Sequence, residues 1–495
     1  MEVRLAELLA GVCLASDLAR GLDDGQGLRS CVTAMELADR VRLPAEQRRD
    51  LFWVSLLRFV GCSTTATELS ALGDELQISS TFATVDTRDL REVVRRTRSV
   101  VGSRPDHVLR FLASAPATIR EHETTSCEVA RSVAEQVGLG PTVIAALGQV
   151  FERYDGHGNP GAVKGRLRPP VAFWQAVHLA DLLAQSGADV PGELRARAGR
   201  ALDPWAANTV ADNWDPALVP DPATVGAVLD HEPEPHQVAT DPDQALAVFA
   251  IVADGKSPYF HGHSHRVAEL AAAAGRRYGL PATTATLVRR AGLVHDVGKA
   301  AVTARIWNNP RTLSDAEYEQ VRLHPYYTQR VLARVPALAQ LVDLACSHHE
   351  RADGTGYHRG LPGPSAAATI LAAADCFVTA GEDRPHRAAR SPDQQGAHLI
   401  AEGAAGRFDP AVVTAILDAT AGAGPKAFEP GGLTRREQEV LELVAQGLTN
   451  RAIANRLGVS PKTINAHLEH TYAKLCVSTR VAAVVHAQRL GWLPG

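Results

Sequence analysis

The sequence predicts an all-α protein, because its composition and its hydrophobic spacing both favour helices over strands. Ala, Leu, Arg and Glu dominate, apolar residues recur at spacings of three and four, and alternating Val, Ile and Thr patterns are scarce. In RVAELAAAAGRRYGL, for example, Val267, Leu270, Ala271 and Ala274 share one helical face and Gly279 supplies a stop. We therefore expect helical domains throughout.

Length and composition indicate a globular protein of several domains. The 495 residues are 45% hydrophobic and 21% charged, with a net charge of -4, which is typical of soluble globular chains and not of disordered ones. A prior of roughly 150 residues per domain suggests about three domains.

Two Pro- and Gly-rich stretches are predicted to be linkers. The segment 219–240 is rich in Pro and acids, and 422–432 (GAGPKAFEPGG) is punctuated by Gly and Pro, so neither is expected to sustain a regular element. They leave three blocks, which are 1–218, 241–421 and 433–495.

The start of the chain and its cysteines predict a cytoplasmic protein without disulfides. The first residues lack a basic stretch followed by an apolar one, and no uncharged apolar run reaches about 18 residues, so no membrane partner is expected. The seven cysteines are scattered singly, which favours reduced, buried thiols.

The third block is a small basic module. Residues 433–495 contain eight Lys and Arg against four Asp and Glu, whereas the rest of the chain is acidic. Gly447, Gly458 and Cys476 divide the block into four short helices, of which the second and third are predicted to form a helix-turn-helix.

The turn of this motif has suitable residues at each position. Gly458 can adopt the left-handed conformation, Ser460 can cap the next helix, and Pro461 suits its first position. Ile464 and Leu468 then face the core, which leaves the opposite face of the helix for a DNA major groove.

The block resembles the LuxR-type DNA-binding domain along its whole length, through LTRREQEVL, GLTNRAIANRLGVSPKTI and the closing AKLxVxxR. The resemblance implies a double-stranded DNA partner with an inverted-repeat operator, a homodimer, and Glu439 as an inner salt-bridging acid. It also implies five DNA-contacting residues, which are Lys462, Thr463, Asn465, Ala466 and His467. Glu469 departs from a position that is often basic; the alternative is a bundle used only for dimerisation.

The second block carries an ordered series of metal-binding residue types. It sets out His263, the run HDVGK at 295–299, His324, the run HHERADGTGYH at 348–358, and Asp375. Imidazole and carboxylate suit first-row metals, and two such ions can hold a phosphate ester and activate water at neutral pH. On a helix His295 and Asp296 would lean toward one centre, with Lys299 one turn later as a phosphate-binding cation.

These residues resemble the HD-GYP family of phosphohydrolases, which cleave cyclic di-GMP, over about 245–420. The resemblance implies in-line attack by a metal-bridging hydroxide, with Asp296 and Lys299 as catalytic residues. It implies two divalent metals, iron or manganese before zinc or nickel, and the ligands His263, His295, Asp296, His324, His348, His349 and Asp375. It also implies contacts to a cyclic dinucleotide or related phosphoester from Lys299, Gly356, Tyr357, Arg384 and Arg387.

Two positions depart from the family pattern. His358 stands where the family has proline, as either an exposed loop residue or a further nitrogen near the metals. Tyr259 stands four residues before His263, where members with a third metal carry glutamate. We therefore expect two metals.

The first block reads as a degenerate copy of the second. FERYDGHGNPGAVKG (151–165) mirrors HERADGTGYHRGLPG, but 109 residues separate Leu43 from Glu152, against 70 from Leu280 to Glu350. Most of the ligand positions are lost. Arg58–Phe59 replaces His295–Asp296, and Val150–Phe151 replaces His348–His349. Gln26 falls near the position of His263, and only Asp181 corresponds to a ligand of the same type, Asp375. We expect a sensory or dimerising domain that does not bind the metal pair.

Three functions remain open from the sequence. The first is a transcription regulator whose second domain hydrolyses a cyclic dinucleotide or related phosphoester. The second is a regulator in which the same domain senses a metal, a redox signal or a ligand without hydrolysis. The third, a structural adaptor, predicts neither a metal nor a specific DNA footprint.

Overall fold

The computed structural model describes residues 3–22, 25–161, 163–360, 363–421, 433–475, 477, 479–489 and 492–493. Within these residues the regular elements are helices, and the only β-type pairings are isolated bridges. The predicted all-α class is therefore confirmed. None of the described helices is both long and apolar enough to cross a bilayer.

The chain folds as two compact units, Met1–Ala245 and Leu246–Gly495. The first unit contains twelve α-helices among its described residues: α1 (Leu5–Ala19), α2 (Gln26–Arg40), α3 (Ala45–Leu57), α4 (Ala66–Ser70), α5 (Glu75–Phe82), α6 (Leu90–Val101), α7 (Pro105–Gln136), α8 (Pro141–Leu147), α9 (Pro169–Gln185), α10 (Val190–Arg197), α11 (Pro204–Asn213) and α12 (Val225–Asp230). Helix α13 (Pro242–Asp254) spans the division between the units.

The second unit contains the remaining helices: α14 (His263–Tyr278), α15 (Ala282–Val294), α16 (Ala304–Trp307), α17 (Asp315–Arg322), α18 (His324–Leu332), α19 (Ala339–Cys346), α20 (Ala366–Ala380), α21 (Pro392–Ala404), α22 (Pro410–Ala421), α23 (Arg435–Ala445), α24 (Asn450–Leu457), α25 (Pro461–Leu475) and α26 (Arg480–Arg489). Short 3-10 turns occur at Cys62–Thr65, Pro216–Leu218, Pro258–Phe260, Val297–Ala301 and Pro336–Leu338.

Helix α14 is central to the second unit, where it packs against α15, α20 and α22. Val267, Ala271 and Ala274 are fully buried, as the spacing predicted. Gly279 ends the helix with φ +97°, a left-handed conformation that glycine adopts without strain. The ends of these packed helices carry the candidate site.

The segment 219–240 differs from the predicted linker, because it contains a helix and packs on the first unit. Thr224 caps the six-residue helix α12, which contacts α1 and α2. Arg4 bridges Val238 and bonds Glu232, whose side chain is fully buried. The Pro-rich composition hid a helix that is too short to produce a periodic pattern. The other predicted linker, 422–432, lies outside the described residues.

Helices α23 to α26 form the small C-terminal module. Val440, Val444, Ile453, Ile464 and Ala483 lie in its apolar core. Thr434 and Thr449 cap the first two helices. As predicted, Gly458 is left-handed with φ +66°, and the Ser460 hydroxyl accepts the Thr463 amide at 3.1 Å. The helix-turn-helix geometry is therefore present.

Candidate metal centre and DNA-reading helix

The seven predicted metal ligands come from five segments of the second unit. His263 begins α14, His324 begins α18 and Asp375 lies within α20. The HD and HH pairs, however, lie at the ends of helices and not inside them. His295 follows the last residue of α15, Asp296 precedes a 3-10 turn, and His348–His349 form a turn after α19. The expectation that His295 and Asp296 lie together on one helix was wrong.

The structure gathers these residues into two neighbouring groups of three. One contains His263, His295 and Asp296, and the other contains His324, His348 and His349. Within each group the donor atoms all lie within 4.8 Å of one another. Asp375 joins the first group, since its Oδ1 lies 3.1 Å from His263 Nε2.

Asp296 connects the two groups through its two oxygens. Its Oδ2 lies 3.2 Å from His263 Nε2 and 3.1 Å from His295 Nε2. Its Oδ1 lies 3.4 Å from His324 Nε2 and 3.5 Å from His348 Nε2. One carboxylate oxygen thus faces each histidine group, which is the arrangement that a bridging ligand requires.

Several donor atoms at this centre are buried without a hydrogen-bond partner. They are His263 Nε2, His295 Nε2, Asp296 Oδ1 and Asp296 Oδ2, in side chains that are at most 1% exposed. Lys299 contacts Asp296 Oδ2, and the other three atoms, His263 Nε2, His295 Nε2 and Asp296 Oδ1, are donors that would ligate a bound metal ion, since buried polar atoms are normally satisfied. Neutral imidazoles and carboxylates without cysteine fit a pair of divalent first-row ions.

The histidine rings are held with Nε2 inward by bonds at Nδ1. His295, His324 and His348 make Nδ1 contacts of 2.6 to 2.7 Å with the backbone carbonyl three residues earlier. His263 instead meets Glu382, whose two carboxylate oxygens each lie 3.1 Å from Nδ1. Such outer partners fix ring orientation and ligand basicity.

Glu382 is a functional residue that the sequence reasoning missed. It is 119 residues from His263 and also accepts from Arg266 and from Arg384, the latter at 2.8 Å. The nearby His263 and these cations hold the pKa of Glu382 far below its usual range, against the effect of burial. The signal in the sequence was its position in EDRPHR (382–387), two residues before the predicted ligand contact Arg384.

Ionisation states at the centre suit metal binding. Burial lowers the pKa of His348 to about 4, which leaves the neutral imidazole that ligates metals. Burial alone would raise the pKa of Asp296, but His295 and Lys299 hold it well below its usual range. The pKa of Asp375 is likewise depressed, by its contacts with His263 despite burial.

Lys299 reaches the centre from the 3-10 turn. Its ammonium contacts Asp296 Oδ2 and lies 4.3 Å from the centroid of the Phe260 ring. Only 7% of the residue is exposed. A single buried cation therefore lies next to the bridging carboxylate and also faces the adjoining cavity.

A cavity of about 450 Å³ opens onto the metal centre. Phe260, Trp307 and Tyr357 line it, and Tyr357 stacks on His349 with ring centroids 4.5 Å apart. Aromatic walls beside a metal centre suit a ligand that has both apolar rings and phosphates. Phe260 and Trp307 were missed by the sequence reasoning because no motif includes them.

Arg384 and Arg387 line this cavity but also bond within the protein. Arg384 Nη1 donates to Tyr259 O at 2.6 Å. Arg387 donates to the carbonyls of Thr379, Ala380 and Glu382, at and just beyond the end of α20. Their predicted contact with a nucleotide stays a prediction.

Two glycines allow the ligand-bearing segments to approach closely. A Cβ at Gly356 would lie 2.5 Å from Glu350 Cα and from His349 O, so this residue sets the packing beneath the HH pair. A Cβ at Gly298 would overlap the His324 carbonyl oxygen. Gly356 therefore has a steric role in addition to its predicted ligand contact.

His358 lies half-buried near Tyr326, with ring centroids 6.3 Å apart, and is in neither histidine group. Tyr259 precedes Phe260 in the 3-10 turn. Its backbone carbonyl accepts from Arg384.

The corresponding region of the first unit has the same layout with different chemistry. Gln26 Nε2 donates to the buried Asp181 at 2.5 Å, as His263 approaches Asp375 in the second unit. Phe59 packs near Phe151 with centroids 6.3 Å apart. Arg58 is 1% exposed. Rings and a guanidinium supply no metal donor at these positions.

The predicted DNA contacts lie on one side of α25. Lys462, Thr463, Asn465 and Ala466 are exposed and His467 is half-exposed, whereas Ile464 and Leu468 are buried. Glu439, predicted as the inner salt-bridging acid, instead pairs with Arg436 at the surface. The buried acid is Glu437, which bonds Lys474 at 2.6 Å. Residues two positions apart on a helix lie about 200° apart, so the two acids lie on opposite faces, and only Glu437 faces the core.

The small module touches the segment that leads into the metal centre. A Cβ at Gly447 would lie 2.5 Å from Pro258 O, and the adjacent turn residue Phe260 lines the cavity. On the module side, Arg480 Nη1 donates to Asn450 Oδ1 at 3.1 Å. Asn450 in turn donates to Asn465 Oδ1 at 2.5 Å. Arg480 also donates to the carbonyl of Leu448, the residue after Gly447, so a short series of contacts joins α25 to the cavity.

Comparisons with known proteins agree with this geometry. Residues 247–412 match the HD domain family, and 432–487 match the luxR family of bacterial regulatory proteins. The chain is 28% identical over 415 residues to a 3'3'-cGAMP-specific phosphodiesterase of Vibrio cholerae, covering 79% of this chain and 89% of the relative. It is 35% identical over 191 residues to a cyclic di-GMP phosphodiesterase of Pseudomonas aeruginosa, covering 38% of this chain and 44% of the relative. A crystal structure of a V. cholerae cyclic GMP-AMP phosphodiesterase aligns with TM-score 0.57 and 23% identity, covering 86% of this chain and 99% of that one.

Proposed function

We propose that this chain, which matches the HD domain family over 247–412 and the luxR family over 432–487, is a transcription regulator that hydrolyses a cyclic dinucleotide. The relative matched over most of the chain is named for 3'3'-cGAMP and the shorter match for cyclic di-GMP. We take 3'3'-cGAMP as the first substrate to test, because that similarity extends through both units.

The observation that carries the proposal is the position of Asp296 between two histidine groups. Each of its oxygens approaches a different pair of Nε2 atoms at 3.1 to 3.5 Å. A structural site needs one closed ligand sphere, whereas a shared carboxylate is typical of dinuclear centres that act on phosphate esters. We propose iron or manganese as the ions.

Two bound ions would supply Lewis acidity and a nucleophile at neutral pH. The residues of the chain then have distinct tasks. Asp296 and the histidines would hold the metal ions, while Lys299, buried beside Asp296 and lining the cavity, stabilises negative charge that develops on the phosphate. Trp307 and Tyr357 contact the bases and exclude water from one side of the phosphate.

The test is hydrolysis of 3'3'-cGAMP and cyclic di-GMP by full-length protein purified without oxygen, with metal content measured on the same sample. Wild type should hold about two ions per chain and produce linear dinucleotide. His295→Ala should lose both metal and activity, whereas His157→Ala, in an exposed loop of the first unit, should retain both. Metal without turnover of either dinucleotide would refute the enzymatic function.

A non-hydrolysing receptor is the second candidate. It is favoured by the engagement of Arg387 with four backbone carbonyls, which leaves fewer N–H groups for a scissile phosphate. In that case the dinucleotide would bind with metal-dependent affinity and be recovered unchanged.

The DNA partner is proposed on the exposed face of α25. Lys462 and Thr463 would contact phosphate while Asn465 reaches base edges. A homodimer on an inverted-repeat operator follows from the luxR-family resemblance.

Coupling between the two activities is supported by the contact of Gly447 with Pro258. This contact joins the turn before α24 to the turn that carries Phe260 into the cavity. A ligand that shifts Phe260 would therefore also shift the support of the DNA-reading helix. Ligand in the cavity and DNA on α25 would then each favour one of two arrangements of the contact between Gly447 and Pro258, as allosteric coupling requires.

A further inference from the structure

A second concave site lies in the first unit, far in sequence from the metal ligands. It is a cavity of about 920 Å³ between α6 and α10, formed by residues 84–96 and 183–200. Helix α6 belongs to the stretch between Leu43 and Glu152 in which the first unit is longer than the second. One wall of the site therefore belongs to the part of the first unit that has no counterpart of equal length in the second.

This cavity, which we call the arginine groove, is basic. Six arginines line it: Arg88, Arg91, Arg95, Arg96, Arg197 and Arg200. The acids among its lining residues are Asp86, Asp89, Glu92 and Glu193, which leaves an excess of two positive charges. This local charge is opposite to the net charge of -4 of the whole chain, and it favours an anionic ligand.

The acids of the groove are already engaged by the protein. Asp86 pairs with Arg153 at 2.9 Å, and Asp89 caps α6 by accepting the backbone N–H of Arg91 at 3.0 Å. Glu92 pairs with Arg95 at 3.6 Å. Glu193 pairs with Arg197 at 3.3 Å.

Some of the arginines remain available. Among the described residues the side chains of Arg88 and Arg91 make no ion pair or hydrogen bond, and both residues are exposed. Arg96 is not among them, because its buried Nε lies 4.0 Å from Glu92 Oε1. Guanidinium groups with free N–H donors on one wall of a cavity are suited to bidentate contact with phosphate.

The groove also has apolar surface. Leu90 is 75% exposed and stands at its edge, while Leu183, Ala188 and Ala196 line its wall. A simple inorganic anion would not need this surface, and the volume is within the range of small-ligand sites. Free arginines beside apolar surface suit a ligand in which a base or sugar is attached to phosphate groups that carry two or more negative charges.

We propose that the arginine groove binds a phosphorylated nucleotide and is the sensory site of the first unit. The inference rests on residues of the first unit alone, so it does not depend on hydrolysis at the metal centre. Binding there would give the degenerate domain a ligand of its own.

The test is isothermal titration calorimetry of full-length His295→Ala protein, in which metal-centre catalysis is removed. GTP, 3'3'-cGAMP and inorganic pyrophosphate are the probes. At least one nucleotide should bind saturably, with affinity that falls as salt rises. Adding Arg91→Ala should weaken binding about tenfold or more, through loss of a charged contact to phosphate.

Arg98→Ala is the matched control, because Arg98 is an exposed arginine of the same helix outside the groove. It should leave the affinity within about twofold of the parent. Equal weakening by both substitutions, binding of pyrophosphate as tight as that of any nucleotide, or no saturable binding of any probe would overturn the proposal. The proposal would also be overturned if no nucleotide bound and Arg91→Ala instead weakened the binding of random-sequence DNA. Failure at the metal centre would appear separately, in the hydrolysis assay of the wild type.

Discussion

Glu382 contacts the Nδ1 side of the His263 ring, with both carboxylate oxygens 3.1 Å from Nδ1. The other face of the same ring points Nε2 at Asp296 and Asp375, at 3.2 and 3.1 Å. The acid thus orients a predicted metal ligand from the side of the ring opposite Asp296 and Asp375.

We expect Glu382→Ala to weaken metal binding about 10- to 100-fold, because His263 loses the partner that fixes its ring and raises its basicity. Competition with a fluorescent chelator measures this affinity. Glu269→Ala removes an exposed acid of α14 and should leave it unchanged. Full metal affinity in Glu382→Ala would contradict the orienting role.

Gly447→Asn should uncouple DNA binding from the metal centre. Asparagine tolerates the left-handed backbone of Gly447, but its side chain must displace Pro258. The expected result is a DNA affinity that no longer responds to metal or to 3'3'-cGAMP, measured by fluorescence anisotropy. Gly279→Asn is the control, because that glycine is also left-handed and has no neighbour within 4 Å. A wild-type response in Gly447→Asn would rule this contact out as the route.

Lys462→Ala should weaken DNA binding across all sequences. Loss of one phosphate contact is expected to reduce the slope of log affinity against log salt by about one. Arg277→Ala, which removes an exposed charge from α14, should leave the slope unchanged. An unaltered slope in Lys462→Ala would place the DNA elsewhere than on α25.

Acid should destabilise the first unit through His178. Burial, with Arg58 and Arg20 nearby, holds the pKa of His178 well below its usual value near 6.5. Below that pH the unfolded chain binds a proton that the folded chain does not, so stability is present above about pH 6.5 and is lost as pH falls.

His178→Phe should therefore reduce the loss of unfolding free energy between pH 7.5 and pH 5 by about 1 to 2 kcal/mol. The ring fits, because His178 already stacks on Trp174 with centroids 5.0 Å apart. Denaturant unfolding at both pH values gives the difference, with His157→Phe as the exposed control. An identical pH dependence in His178→Phe and wild type would show that this proton is not lost on folding.

The sequence predicted the helical class and the residues that gather at the metal centre, because ligand identity and spacing are local properties. It misplaced His295 and Asp296 within a helix, because residue identity and spacing do not show that α15 ends at Val294. It also missed Glu382 and Phe260, which are brought to the site only by tertiary folding.

Gly298 and Gly356 lie where two backbone segments pack closely next to the predicted metal ligands, whereas Phe260 and Trp307 line the cavity. A saturation mutagenesis map should therefore show two opposite behaviours within a few ångströms. Nearly every side chain at the glycines would abolish assembly of the candidate metal centre, while changes at the aromatic positions would alter which ligand the cavity accepts. Different residues therefore determine the assembly of the site and the shape of its cavity.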